Sequence, residues 1–227
     1  MPLDNTNPFT SASTLPYELP DFTRIGDEHY QPAIEASMAE QLEALDALTA
    51  NPEPPTVANV IEAWETSGQM LSRALNAFYT KQPADTNDTL DAVEAAIAPQ
   101  LAAHRDAIFL SRSRYERVAA LAKRVAAGEV EVDPQSAYWL ERCLRDFERA
   151  GVNLPDPEQQ RLRELNQRIA ELQSAFGRLA LAGMNAGAVL VTDRAELDGL
   201  SDAEIEGARE RAAEQGHADA WLLELDN

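Results

Sequence analysis

One cysteine and three histidines are all that 227 residues supply in thiol and imidazole ligands. Cys143, standing alone, excludes an intrachain disulfide and a cysteine-rich metal site, and it suits a reducing compartment. His29, His104 and His217 fall in three separate segments, so no two lie four apart as a His-Glu-x-x-His zinc site demands. Glu28 and His29 are adjacent, and adjacent side chains on a helix diverge by about 100° instead of converging on an ion. The chain also lacks a Gly-x-Ser-x-Gly elbow, a phosphate-binding loop and a dinucleotide fingerprint. It therefore offers no candidate catalytic, cofactor-binding or metal-ligating residue of its own.

Basic residues are scarce as well. Nineteen Lys and Arg stand against 39 Asp and Glu, a formal charge of −20, which repels a phosphate backbone or an anionic membrane surface. Nucleic acid and membrane are thus excluded as expected partners, and the acidic excess reads as solubility. No apolar run approaches the roughly 20 residues of a membrane span. Residues 1–20 carry neither the basic nor the apolar region of a secretory leader, so a cytoplasmic protein is expected.

What the chain does contain is helical pattern. With 44% hydrophobic and 26% charged residues it has the composition of a folded domain with a real core. Pro2, Pro8, Pro16 and Pro20 forbid helix over residues 1–26. Phe9, Leu15, Tyr17, Leu19 and Phe22 predict instead an extended arm packed on a larger body. From Asp27, the expected cap, Ile34, Met38, Leu42, Leu45 and Leu48 repeat at helical spacing until Pro52, Pro54 and Pro55.

Thr56 is placed to cap a second helix with the stripe Val57, Val60, Trp64, Leu71, Leu75, Phe78, in which Gly68 permits a close helix contact. The third stripe, Leu90 to Ile108, includes Pro99 and predicts a kink. A fourth helix ends before Gly128, and Asp133-Pro134 opens a fifth that closes at Gly151. Cys143 sits one residue off that helix's apolar stripe. Arg142 and Arg145 beside it would lower its pKa, yet the thiol reads as structural. Carboxylate pairs such as Glu62 and Glu65 read as a solvated helix face.

Asp156-Pro157 opens the clearest pattern, Leu162, Leu165, Ile169, Leu172, Phe176 and Leu179, whose spacing averages 3.5. Such a seam is expected to pack antiparallel within its own bundle. The texture then changes. Ala188–Thr192 and Trp221–Leu225 read as strands flanking a helix that Ser201 and Glu204 open and Gly216 closes. Two strands and a helix leave an unpaired edge, so the chain reads as cut short. The expected fold is mainly α: an antiparallel helical bundle with a long heptad-patterned helix, then a small strand-helix-strand unit of an incomplete α+β subdomain. The expected divisions are an arm at 1–26, a helical domain at 27–187 and the strand-helix-strand unit at 188–227.

Asn7-Pro8-Phe9, Leu15-Pro16-Tyr17 through Pro20-Asp21-Phe22 and Ile25 to Tyr30 with Pro32-Ala33 together resemble the start of thimet-oligopeptidase-like zinc peptidases, in the bacterial peptidyl-dipeptidase and oligopeptidase A branch. Asn51-Pro52, Pro55-Thr56 with Asn59, Ser67-Gly68, Phe147 to Gly151 with Leu154, Asn166 through Phe176 and Leu197 to Ser201 agree with that resemblance. Thr56 to Val60 departs from it, lacking the aromatic and acidic residues expected there. The resemblance implies a helical two-lobed enzyme that hydrolyses oligopeptides in a channel. Its zinc is held by His-Glu-x-x-His and a downstream glutamate, all beyond Asn227. This chain would then be an inactive wall of the channel without zinc of its own, a monomer whose partners are oligopeptides and the missing C-terminal catalytic part. A free-standing helical interaction module is the alternative, on the strength of the heptad seam.

Overall fold

Helix α1 (Tyr30–Ala50) occupies the middle of the first part of the chain and packs against the helices that follow it. The computed structural model describes residues 3–224. Met1, Pro2 and Leu225, the expected end of the second strand, lie outside them. Two compact units are present, Met1–Leu172 and Gln173–Asn227, with the boundary inside the long helix α7 (Asp156–Ala186).

In the first unit, α1 does not take Asp27 as its cap. The Gly26 amide donates to His29 Nδ1 at 2.8 Å, and a single 3-10 turn, Asp27–His29, leads into the helix. Asp27 instead accepts a hydrogen bond from the Asn87 amide at 2.8 Å, joining the start of α1 to the cap of α4. Thr56 caps as expected: its hydroxyl accepts from the Asn59 amide while Asn59 Oδ1 accepts from the Thr56 amide, a reciprocal box.

The single helix expected after it is divided. A wide π-type segment, Val57–Glu62, runs into α2 (Ala63–Ser67), and Gly68 separates that from α3 (Gln69–Lys81). A Cβ on Gly68 would lie 2.4 Å from the Gln41 amide nitrogen of α1, so the bare glycine is what lets the two segments approach.

Helix α4 (Asp88–Phe109) continues unbroken through Pro99, and Asn87 caps it through the Thr89 and Leu90 amides. Helices α5 (Arg112–Ala126) and α6 (Pro134–Ala150) follow, the latter capped by the Asp133 carboxylate and ended by Gly151 at φ 101°. Three apolar clusters result, the smallest formed by Leu45 and Leu48 of α1 with Ile108 of α4. Tyr30, Ile34, Phe78, Leu90 and Ile97 fill the space between α1, α3 and α4. Val60, Val118, Leu121, Leu140 and Phe147 fill that between the π-type segment, α5 and α6. The Phe147 ring lies within 6 Å of three others, with centroids 5.2 Å from Phe109, 5.8 Å from Trp64 and 5.8 Å from Tyr115.

Of the arm, two residues are anchored deeply. Phe9 is buried against Tyr30, and the buried Asn7 donates its amide to the His29 carbonyl at 3.0 Å. Leu15, Tyr17, Leu19 and Phe22, expected to lie against a larger body, are exposed, Tyr17 almost completely at 97%.

The second unit holds the end of α7, β1 (Val189–Val191), α8 (Asp202–Glu214) and β2 (Trp221–Leu223). The strands pair antiparallel, Val189 opposite Leu223 and Val191 opposite Trp221. Val191, Leu197 and Ile205 form a small core beneath them, and Ser201 with Glu204 makes the expected capping box on α8. The fold is therefore mainly α with one small sheet, as the sequence pattern predicts.

Truncating Phe147, fully buried among three rings, is expected to cost about 3–5 kcal/mol as Phe147→Ala. Tyr17→Ala on the exposed arm is expected to change stability by less than about 0.5 kcal/mol. Urea denaturation of the two variants measures both.

Candidate functional site

The residues with chemical potential are scattered. His29 is half-buried and its Nδ1 is occupied by the Gly26 amide, while Nε2 faces Glu28 Oε1 at 3.8 Å. His104, buried in α4, lies 2.7 Å through Nε2 from Gln41 Oε1, and His217 is exposed on the second unit. Among the described residues no three His, Cys, Asp or Glu side chains converge as a metal site. The donor set present therefore does not fit a zinc ion. Cys143 is buried in the α6 core, and burial, with Asp146 and Glu65 nearby, pushes its thiol up to about 12. Arg142 and Arg145 do not activate it, because desolvation of a thiolate outweighs their exposed charges. Glu62 and Glu65 are both exposed, as a solvated face requires, and the Glu65 carboxylate also accepts the Trp139 indole N–H.

The densest cluster of buried polar groups lies along α4 and its neighbours. Arg114 of α5, buried, donates to the Ala107 carbonyl and to Asp46 of α1 at 2.7 Å, tying three helices together. His104 Nδ1 has no partner, and burial, with Arg114 nearby, lowers its pKa, so the ring is neutral at pH 7. On the other side of α4 the buried Asp106 accepts the Asn166 amide of α7 at 2.8 Å through one carboxylate oxygen, and its second oxygen is unpartnered. Burial raises its pKa above the usual carboxylate value; the Asn166 bond, Arg163 and Arg105 offset part of that. Two turns earlier, the buried Gln159 donates its amide to the Val152 carbonyl at 3.0 Å.

Those bonds determine which face of α7 the first unit holds, and the outcome corrects an expectation. Gln159, Arg163, Asn166 and Ala170 turn inward, whereas Leu165, Ile169 and Leu172 are 42%, 50% and 50% exposed. Phe176 and Leu179, further along the same seam, are exposed too. Only Leu162, at the start of the seam, is half-buried, against Gly151; from Leu165 onward the seam does not pack within the first unit. The polar face is preferred because Asp106 and the carbonyls after α6 would otherwise be buried without donors, at about 1–3 kcal/mol each.

Sequence reasoning missed Asp106, Asn166 and Gln159. In a chain with 39 acidic residues nothing marks one carboxylate as buried. The faint signal is that Asp106 lies two residues beyond His104, on a flank of α4 that the apolar stripe does not cover.

A concavity of about 280 Å³ lies between the arm and α3, lined by Asn5, Ser11, Arg24, Arg73 and Asn76 among others. Arg73 closes it by donating to the Phe9 carbonyl.

No protein-family profile matches the chain. Individual proteins do. Dipeptidyl carboxypeptidase of Escherichia coli (strain K12) is 34% identical over 221 residues, 97% of this chain and 32% of that protein. Its counterpart from Salmonella typhimurium is 34% identical over 98% of the chain. Oligopeptidase A of Escherichia coli is 26% identical over 96% of the chain, again 32% of the relative. The chain thus spans about a third of the length of the relatives it matches.

Because its folded-state pKa is raised, Asp106 contributes most stability at low pH, and that contribution is lost as pH rises through the folded pKa. Asp106→Asn keeps an acceptor for Asn166 without the buried charge. The variant is expected to gain on the wild type between pH 4 and pH 7, by up to about 1 kcal/mol. Urea midpoints at the two pH values measure it; a loss that deepens with pH would contradict the assignment.

Proposed function

We propose that this chain, which matches about a third of the length of its peptidase relatives, is the non-catalytic helical region of a thimet-oligopeptidase-like zinc metallopeptidase that hydrolyses short peptides. The carrying observation is the extent of the match, 97% of this chain against 32% of the relative. Identity is higher to the dipeptidyl carboxypeptidases, 34%, than to oligopeptidase A of Escherichia coli, 26%, which favours release of C-terminal dipeptides by the intact enzyme.

In this reading the packed helices wall the channel that admits unfolded oligopeptides, and the zinc ligands and general base come from the remainder of the protein. The chain's part is mechanical. Helices α4, α5 and α6, each with a side-chain cap at its N-terminus, are locked by Arg114 and the Phe147 cluster into a wall that keeps its shape as peptides enter. The enzyme acts as a monomer in the cytoplasm, consistent with the single buried thiol. No described helix is long and apolar enough to cross a membrane. The exposed seam of α7 favours a second reading, a helical module that docks a partner.

Reading the coding sequence beyond Asn227 tests the proposal: a His-Glu-x-x-His motif is expected, and a native stop codon there would defeat it. The 227-residue chain alone, supplied with zinc, is expected to show no peptide hydrolysis above buffer. Turnover by it would contradict the non-catalytic assignment.

A further inference from the structure

Helix α7 presents two different faces. Within the first unit its inward face is Gln159, Arg163, Asn166 and Ala170. The edge formed by Leu165, Ile169 and Leu172 lies roughly 120° round the helix at about 100° per residue, and all three are exposed. Exposed aliphatic side chains at spacings of four and three are what a helix shows when a second element is to lie along it.

The charges beside that edge are already spent. Arg161 pairs with Glu164 at 3.2 Å and Arg168 with Glu171 at 3.0 Å, both along α7 itself. The edge is therefore locally neutral in a chain of net charge −20, and it is suited to an uncharged, aliphatic surface more than to a basic one.

A second copy of the chain is a poor occupant. Two bodies of charge −20 repel. Within the first unit the edge offers only three partly exposed aliphatic side chains, far short of the roughly 800 Å² per partner that a stable interface buries. What the relatives have and this chain does not is the other two thirds of their length.

We infer that the Leu165-Ile169-Leu172 edge of α7 is the seat for the portion of the protein outside this chain, which covers it with an apolar element of its own. The inference rests on the proposed peptidase reading. It explains why the polar face is turned inward: Asp106 and the carbonyls after α6 receive their donors, and the apolar edge is left for an intramolecular contact that needs no electrostatic steering.

Site-directed thiol labelling tests it. Leu165→Cys and Leu172→Cys are introduced separately into the 227-residue chain and into the longer protein, and the rate of reaction with a small maleimide is followed. Cys143 is buried and serves as the slow internal reference. In the chain alone both new thiols are expected to react as exposed groups; in the longer protein both are expected to slow by about tenfold or more. Equal rates in the two contexts would overturn the inference while leaving the peptidase reading intact.

Protection in the chain alone that grows with its concentration would overturn it in favour of self-association. A gene that ends at Asn227 would remove the occupant and defeat both readings. As a second measurement, Leu165→Glu is expected to leave the urea midpoint of the chain unchanged and to lower that of the longer protein; an unchanged midpoint in both would also overturn the inference.

Discussion

The hydrogen bond from the Asn166 amide to the buried Asp106 carboxylate sets the orientation of α7, and much of the surface follows from it. A long helix with an apolar seam would, on hydrophobic grounds alone, roll its leucines inward, each fully buried side chain gaining about 1.5–3 kcal/mol. Rolling it would also strip Asp106 of its donor and leave the Val152 carbonyl unmet by Gln159. One carboxylate oxygen of Asp106 already lacks a partner; losing the other bond would leave the buried carboxylate with no hydrogen-bond donor, only the charges of Arg163 and Arg105 offsetting it. The polar bonds win, and the seam faces out.

Behind that seat the first unit is held in two ways. Between α1, α3 and α4 the core is aliphatic and aromatic, with Tyr30 stacked edge-on to Phe78 at 5.4 Å. Around α6 the Phe147, Trp64 and Phe109 rings provide the packing, and Arg114 cross-ties α1, α4 and α5 through charge-assisted bonds. Buried polar ties of this sort add little net stability yet reject alternative packings, because each misregistered neighbour leaves a donor unmet. For the scaffold role proposed above, definition of shape matters more than depth of stability.

Most of the architecture was legible in the sequence because caps and apolar spacing act locally. Thr56 with Asn59, Asp133, Gly151 and the Ser201-Glu204 box all stand where their residue types predict. The paired strands likewise stand where local pattern puts them. What escaped were choices made between elements. Asp27 prefers Asn87 to its own helix, Gly68 separates α2 from α3 as it makes room for Gln41, and the exposure of Leu15 and Tyr17 depends on what the arm has to lie on. The α7 seam is the largest case: 3.5-residue periodicity reports that a face is apolar, not which body it meets. The peptidase resemblance came from residue order, and the matches to dipeptidyl carboxypeptidase and oligopeptidase A bear it out.

Both the outward seam and the proposed scaffold role depend on the polar contacts that hold α7. A double-mutant cycle on Asp106→Ala and Asn166→Ala, read by urea denaturation at pH 7, measures the seat directly. A favourable coupling of about 1 kcal/mol or more is predicted for two groups in direct contact. Strict additivity of the two substitutions would show that the bond does not hold the helix, and the orientation of α7 would need another cause.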